Sequence, residues 1–250
     1  MNRWMNLREV HMQHLLLNSY RALTLTAALL VAVSTVGCGG TSSMTISEFR
    51  GFWSGTTGTN QGRAVSLGDG TIWLVEEASS VPVAVTKATW NATTGATTGT
   101  GRRVVVATGA GSEISLTVSA FSPEASLSGT FNGAAFSWAH SSAGAGSLTS
   151  SSLQGTWTGQ FNQGAVALTW AISSAGKITG SSTTGCVYDG ALNERTDGLK
   201  VVDLKVSENC SGTVKALTGV GTADSTLRLA SFPYMADNGS GAGVFRLTKQ

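Results

Sequence analysis

The stretch Ile114-Ser115-Leu116-Thr117-Val118-Ser119-Ala120 decides the fold. Apolar and hydroxylated side chains alternate at a period of two, which puts the apolar set on one face of an extended strand and the hydroxyls on the other. The pattern recurs where Val202, Leu204 and Val206 alternate with Asp203, Lys205 and Ser207, where Leu227 and Leu229 flank Arg228, and where Phe245 and Leu247 flank Arg246. Turn-forming runs separate such segments: Gly68-Asp69-Gly70, Asn132-Gly133, Asp197-Gly198 and Asn238-Gly239. Beyond residue 38 there is no convincing helical period. The predicted class is all-β, an antiparallel meander of two tandem small barrel-like units, with one larger pseudo-symmetric β-sandwich or barrel as the alternative. Glycines inside strand patterns, such as Gly129, Gly159, Gly180 and Gly219, would permit the bends that closure needs.

Two halves are visible. Gly51-Phe52-Trp53-Ser54-Gly55 recurs as Gly155-Thr156-Trp157-Thr158-Gly159, and Asp69-Gly70-Thr71-Ile72 is echoed by Ala175-Gly176-Lys177-Ile178. Each half holds about seven or eight candidate strands, a common number for small barrels. The first β domain is placed at 46–140 and the second at 153–250. Between them, 141–152 is rich in Gly, Ser and Ala and reads as a flexible linker.

The N-terminal part is of another kind. After Arg21 comes an uncharged apolar run, Ala22 to Val36, then Gly37-Cys38-Gly39-Gly40-Thr41-Ser42-Ser43. A basic n-region, a short apolar h-region and small residues at a cleavage point are the layout of a secretory signal peptide. A membrane-spanning helix would need about 20 apolar residues and a basic stop. Residues 1–37 are read as that signal peptide and set aside from the fold, and 38–45 as a tether.

Thr35-Val36-Gly37-Cys38 resembles the lipobox of bacterial lipoproteins. The resemblance implies that Cys38 becomes the first mature residue and carries acyl chains such as palmitate, so that the membrane is reached through a lipid anchor. Gly39 stands where Asp would retain such a protein at the inner membrane, which implies the outer membrane, with the domains facing the periplasm or the surface. A second resemblance rests on the two Gly-x-Trp-x-Gly segments. They look like the opening of lipocalin- and avidin-like proteins, in which the Trp packs at one end of a small antiparallel barrel. Eight-stranded bacterial surface lipoproteins are similar in outline.

Of the 16 basic and 14 acidic residues, three and one precede Cys38, leaving 13 of each in the 213 residues from there on. A neutral chain offers no electrostatic footprint for nucleic acid. With Cys38 assigned to lipid, Cys186 and Cys210 remain, in a chain that passes through an oxidising compartment. Folding a hairpin about Asp197-Gly198 brings the two within a residue or two of register, so a disulfide is predicted; two free thiols or a metal pair are the alternatives, and no His accompanies them.

No catalytic constellation emerges, and the chain is read as a non-enzyme without cofactor or metal. His140 is the one histidine beyond residue 38 and reads as a strand-end residue beside Phe136 and Trp138. No Gly-x-Ser-x-Gly elbow is present. Glu76 and Glu77, being adjacent, point to opposite strand faces and read as the wet end of Ile72-Trp73-Leu74-Val75; Arg102-Arg103 reads as a solvated strand start. The aromatics are the remaining binding candidates: Trp53, Trp157, Trp138 and Trp170 either fill the core or line a ligand site. The expected function is a lipid-anchored envelope protein with a binding or structural role, or else a carrier of a small apolar ligand in a hollow barrel.

Overall fold

The computed structural model describes residues 45–250 apart from 94–95 and 162–165, so the segment 1–37 read as a signal peptide and the lipidation reading at Cys38 lie outside the described residues. Eight antiparallel strands form a closed meander barrel in each half. The first contains β1 (Gly51–Thr57), β2 (Asn60–Ser66), β3 (Thr71–Ala78), β4 (Val81–Thr93), β5 (Ala96–Val105), β6 (Gly111–Ser122), β7 (Ser126–Phe131) and β8 (Ala134–Ser141). The second contains β9 (Gly155–Phe161), β10 (Val166–Ile172), β11 (Lys177–Ser182), β12 (Val187–Glu194), β13 (Val201–Cys210), β14 (Thr213–Ala223), β15 (Leu229–Ala236) and β16 (Ala242–Lys249). β1 closes on β8 and β9 on β16. The tandem arrangement predicted from the repeat is the observed one, and closure removes the sheet edges that a low-charge β protein would otherwise expose.

The repeated Gly-x-Trp-x-Gly segment performs this closure. Gly51 and Gly155 start β1 and β9 at φ of 145° and 138°, a backbone that L side chains rarely adopt. At Gly55 a Cβ would collide with the Ser137 carbonyl of β8, and at Gly159 with the Arg246 carbonyl of β16. The central Trp turns inward, and its indole N–H donates to a carbonyl four residues earlier: Trp53 to Phe49 at 2.9 Å, Trp157 to Leu153 at 2.8 Å. The second echo is equally structural. Gly70 and Gly176, at φ 85° and 80°, each accept a hydrogen bond at the carbonyl from the backbone of the strand beyond, at Trp90 and Leu192.

Three apolar clusters result among the described residues. Alternating inward residues fill the first barrel with Trp53, Ile72, Leu74, Trp90, Leu116 and Trp138, and the second with Trp157, Trp170, Tyr188, Leu204, Phe232 and Phe245. The third cluster lies outside both barrels and joins them. Val65, Trp73, Val75, Val85 and Val104 of the first meet Val201, Val220, Met235 and Val244 of the second. Strands such as β3 are therefore buried on both faces, which is why Ile72-Trp73-Leu74-Val75 is a continuous apolar run where the neighbouring sequence alternates.

The Gly/Ser/Ala connector, flexible by composition, is packed in the structure. Ala145 bridges Leu199, Gly146 donates to the Gly198 carbonyl, and Ser150 donates its N–H to Glu194. Leu148 and Leu153 are buried in the second barrel's core. Leu153 precedes Trp157 by four residues, as Phe49 precedes Trp53, so the end of the connector caps the second barrel as the 3-10 turn Ile46–Phe49 caps the first.

Candidate functional site: the groove between the barrels

The four candidate tryptophans are core residues. Trp53, Trp138, Trp157 and Trp170 are buried inside the barrels, and Trp138 donates its N–H to the Thr57 hydroxyl at 3.0 Å. His140 faces the same interior with its ring edge-on to Trp53 at 5.0 Å, consistent with the strand-end role read from its position.

Cys186 and Cys210 form the predicted disulfide, with Cα atoms 4.2 Å apart. The β12–β13 register pairs Val187 with Asn209, so the cysteines lie opposite one another at the end of that hairpin. Glu208 sits within reach of both sulfurs, the grouping among the described residues with metal-ligand spacing. The sulfurs are bonded to each other, and the Glu208 carboxylate accepts the Tyr188 hydroxyl at 2.8 Å. Burial and then that carboxylate push the Tyr188 phenol well above its usual range.

Glu76 and Glu77 correct the solvated reading of their strand end. The pleat does send them to opposite faces, yet both are buried, with 4 % and 5 % of their surface exposed. Glu76 points into the first barrel, where Arg103 grips it through Nε and Nη2 at 2.5 and 3.0 Å and Asn60 donates at 3.2 Å. Arg103 is thus an inward ion-pair partner rather than a solvated strand start. Arg102, on the other face, meets Glu113 at 3.5 Å. Glu77 points outward to the second barrel, where it accepts from Arg63 at 3.2 Å and from Arg246 of β16. Arg246 also donates to the Ser80 carbonyl at 2.7 Å. That bond holds the tip of the β3–β4 hairpin, where Ser79 and Ser80 adopt φ of 50° and 67° without a glycine.

A second polar latch joins the barrels at the opposite strand ends. Arg195, 14 % exposed in its side chain, donates to Asp203 at 2.8 Å, Asp197 at 2.9 Å and Asp69 of the first barrel at 3.0 Å. Arg50 returns the contact by donating to the Asp197 carbonyl at 2.6 Å. Burial raises the Asp69 pKa, but the Thr71 N–H and the Arg195 guanidinium outweigh it and hold the carboxyl below its usual range. Such a group stabilises the fold above its unfolded pKa, and the contribution is lost as pH falls through the lower folded value. Arg195→Met is expected to destabilise the chain by about 2 kcal/mol at neutral pH, between the values for exposed and buried pairs. The loss should shrink well below pH 3.8, where Asp69 protonates in wild type as well. Denaturant titrations at pH 7 and at the lowest pH where the fold persists would check this; an equal loss at both would remove the electrostatic account.

Between these latches the barrel walls part to leave a groove of about 530 Å³. On the first barrel its floor is the cross-strand row Phe52, Val65, Trp73 and the next row Arg63, Val75. The second barrel contributes Thr222, Leu229, Ser231, Val244 and Arg246, with Lys200 also on the lining. A second groove of about 610 Å³ lies beyond Arg246 and Ser80, with a more hydroxylated lining that includes Thr158, Gln160 and Thr169. The volume of the first and the apolar Phe52, Val65, Trp73 and Val75 of its floor, set among a limited number of polar groups, are those of a small-molecule site. The sequence signal for it was the doubled apolar face of β3. Comparison with protein-family models, curated proteins and solved structures finds no match for this chain.

Proposed function

We propose that the chain is an exported, lipid-anchored protein of the bacterial outer envelope with a binding role, and that its site is the groove between the barrels. The observation that carries the binding role is the place of the open volume: large side chains fill the barrel interiors, while about 530 Å³ stands open between them. The carrier reading thereby moves from a barrel lumen to the inter-barrel wall. Export is supported by the apolar run ending at Cys38 and by the Cys186–Cys210 bond, since disulfides persist in oxidising compartments. The neutral balance of charge beyond Cys38 favours neither nucleic acid nor an anionic membrane surface as partner. No catalytic step is assigned, and the His140 ring is packed edge-on against Trp53.

Two experiments test the two parts. Metabolic labelling with a fatty acid should mark the wild type and leave Cys38→Ser unmarked; equal label would remove the anchor. For the groove, an apolar fluorescent probe should bind wild type saturably. Ser231→Trp, which projects a bulky ring from the second barrel's wall, should abolish that binding. Undiminished binding to Ser231→Trp would remove the groove as the site.

A further inference from the structure

We propose that the groove takes a single-chain anionic amphiphile, with its alkyl chain along the Phe52–Val65–Trp73 row and its anionic head at Lys200. The inference rests on the groove being the binding site. Among the described residues, three cations and two carboxylates line the groove, so this lining carries one positive charge in excess. Two of the cations are already paired, since Arg63 and Arg246 share the buried Glu77, and that trio keeps one net positive charge beside Lys200. Lys200 has no ion pair or side-chain hydrogen bond among the described residues, while its stem lies against Gly146. The second carboxylate, Asp224, is engaged by its own loop, accepting from the Leu229 and Arg228 N–H groups and from the Thr226 hydroxyl. It therefore does not serve as the counter-charge of Lys200.

The apolar part of the ligand follows from the walls. Leu229 keeps 56 % of its surface exposed although it borders the groove, one of few large apolar side chains so exposed among the described residues. An alkyl chain lying against Leu229 would remove its exposed apolar surface from water, the driving force of such binding, while the nearly buried Trp73 and Val65 supply the opposite apolar wall. An ammonium head would meet the excess positive charge instead, and a neutral head would leave Lys200 without a partner.

Dodecanoate, dodecanol and dodecyltrimethylammonium, each kept below its micelle-forming concentration, separate these cases by titration calorimetry on the full mature chain. Dodecanoate is expected to bind one per chain and about tenfold or more tighter than either of the others, the size of effect one charge-assisted contact supplies. Lys200→Gln should weaken dodecanoate about tenfold and leave dodecanol unchanged, which also shows that the variant is folded. Equal binding of dodecanoate and dodecanol, insensitive to Lys200→Gln but abolished by Ser231→Trp, would overturn the anionic head and leave the groove standing. Binding of no probe, or binding that survives Ser231→Trp, would overturn both.

Discussion

Trp157→Ala is expected to lower the stability of the chain by about 4 kcal/mol, within the range for removing a buried Trp from a packed core. Trp157 is wholly buried, pairs across β9–β10 with Trp170, and is covered at its ring face by Lys249, whose ammonium lies 5.6 Å from the ring. Alanine leaves a cavity the size of an indole at the capped end of the second barrel. It also strands the Leu153 carbonyl, which loses the indole N–H at 2.8 Å. Trp157→Phe keeps most of the ring and isolates that bond, so about 1–2 kcal/mol is expected. Because Trp53 repeats the geometry with Phe49, Trp53→Ala should fall within about 1 kcal/mol of Trp157→Ala. Urea unfolding of the three variants measures all of this. A loss under about 1.5 kcal/mol for either Ala variant would contradict the plug role. A large loss at one Trp alone would break the equivalence of the halves.

Much of this architecture was legible in the residues. Strict alternation in Ile114 to Ala120 reports a strand with one face in the core, and it became β6 with Ile114 and Leu116 buried. The Gly-x-Trp repeat reported a duplication because each of its residues answers a backbone demand: a positive φ, an inward plug, a close approach of the closing strand. The cysteine pair reported its register because a two-residue period leaves few ways to bring 186 and 210 together.

The inter-barrel contact was harder to read, since it depends on outward faces meeting across more than a hundred residues. A signal did exist in the runs that fail to alternate, Ile72 to Val75 and Val201-Val202, each of which serves two cores. Glu76 and Glu77 misled for the same reason. Their neighbours in sequence say nothing of Arg103 and Arg246, the cations that make their burial tolerable. In the connector the composition misled: Leu148 among glycines and serines, with Leu153 just beyond, was enough to dock it.

Removing the Cys186–Cys210 bond is the other change with a large expected effect, about 3.5 kcal/mol from the chain entropy of a loop of roughly 25 residues. The loop it closes holds β12, the connection 195–200 and β13. That connection is not a tight two-residue turn, so the turn alone fixes the hairpin weakly. Two restraints act instead: the disulfide at one end, and at the other Arg195 holding Asp197 and Asp203 within the hairpin while reaching Asp69 of the first barrel. With the bond absent, the unfolded chain gains freedom while the folded hairpin keeps its strand pairing from Val187 to Glu194. The Cys186→Ser, Cys210→Ser double variant should therefore keep the β circular dichroism of wild type and unfold at lower denaturant. Its loss should also add to that of Arg195→Met if the two restraints act independently at opposite ends. Thiol titration of denatured, unreduced wild type should find neither cysteine free. Reactive thiols there, or a double variant as stable as wild type, would mean that the turn and strand pairing fix the hairpin without the bond.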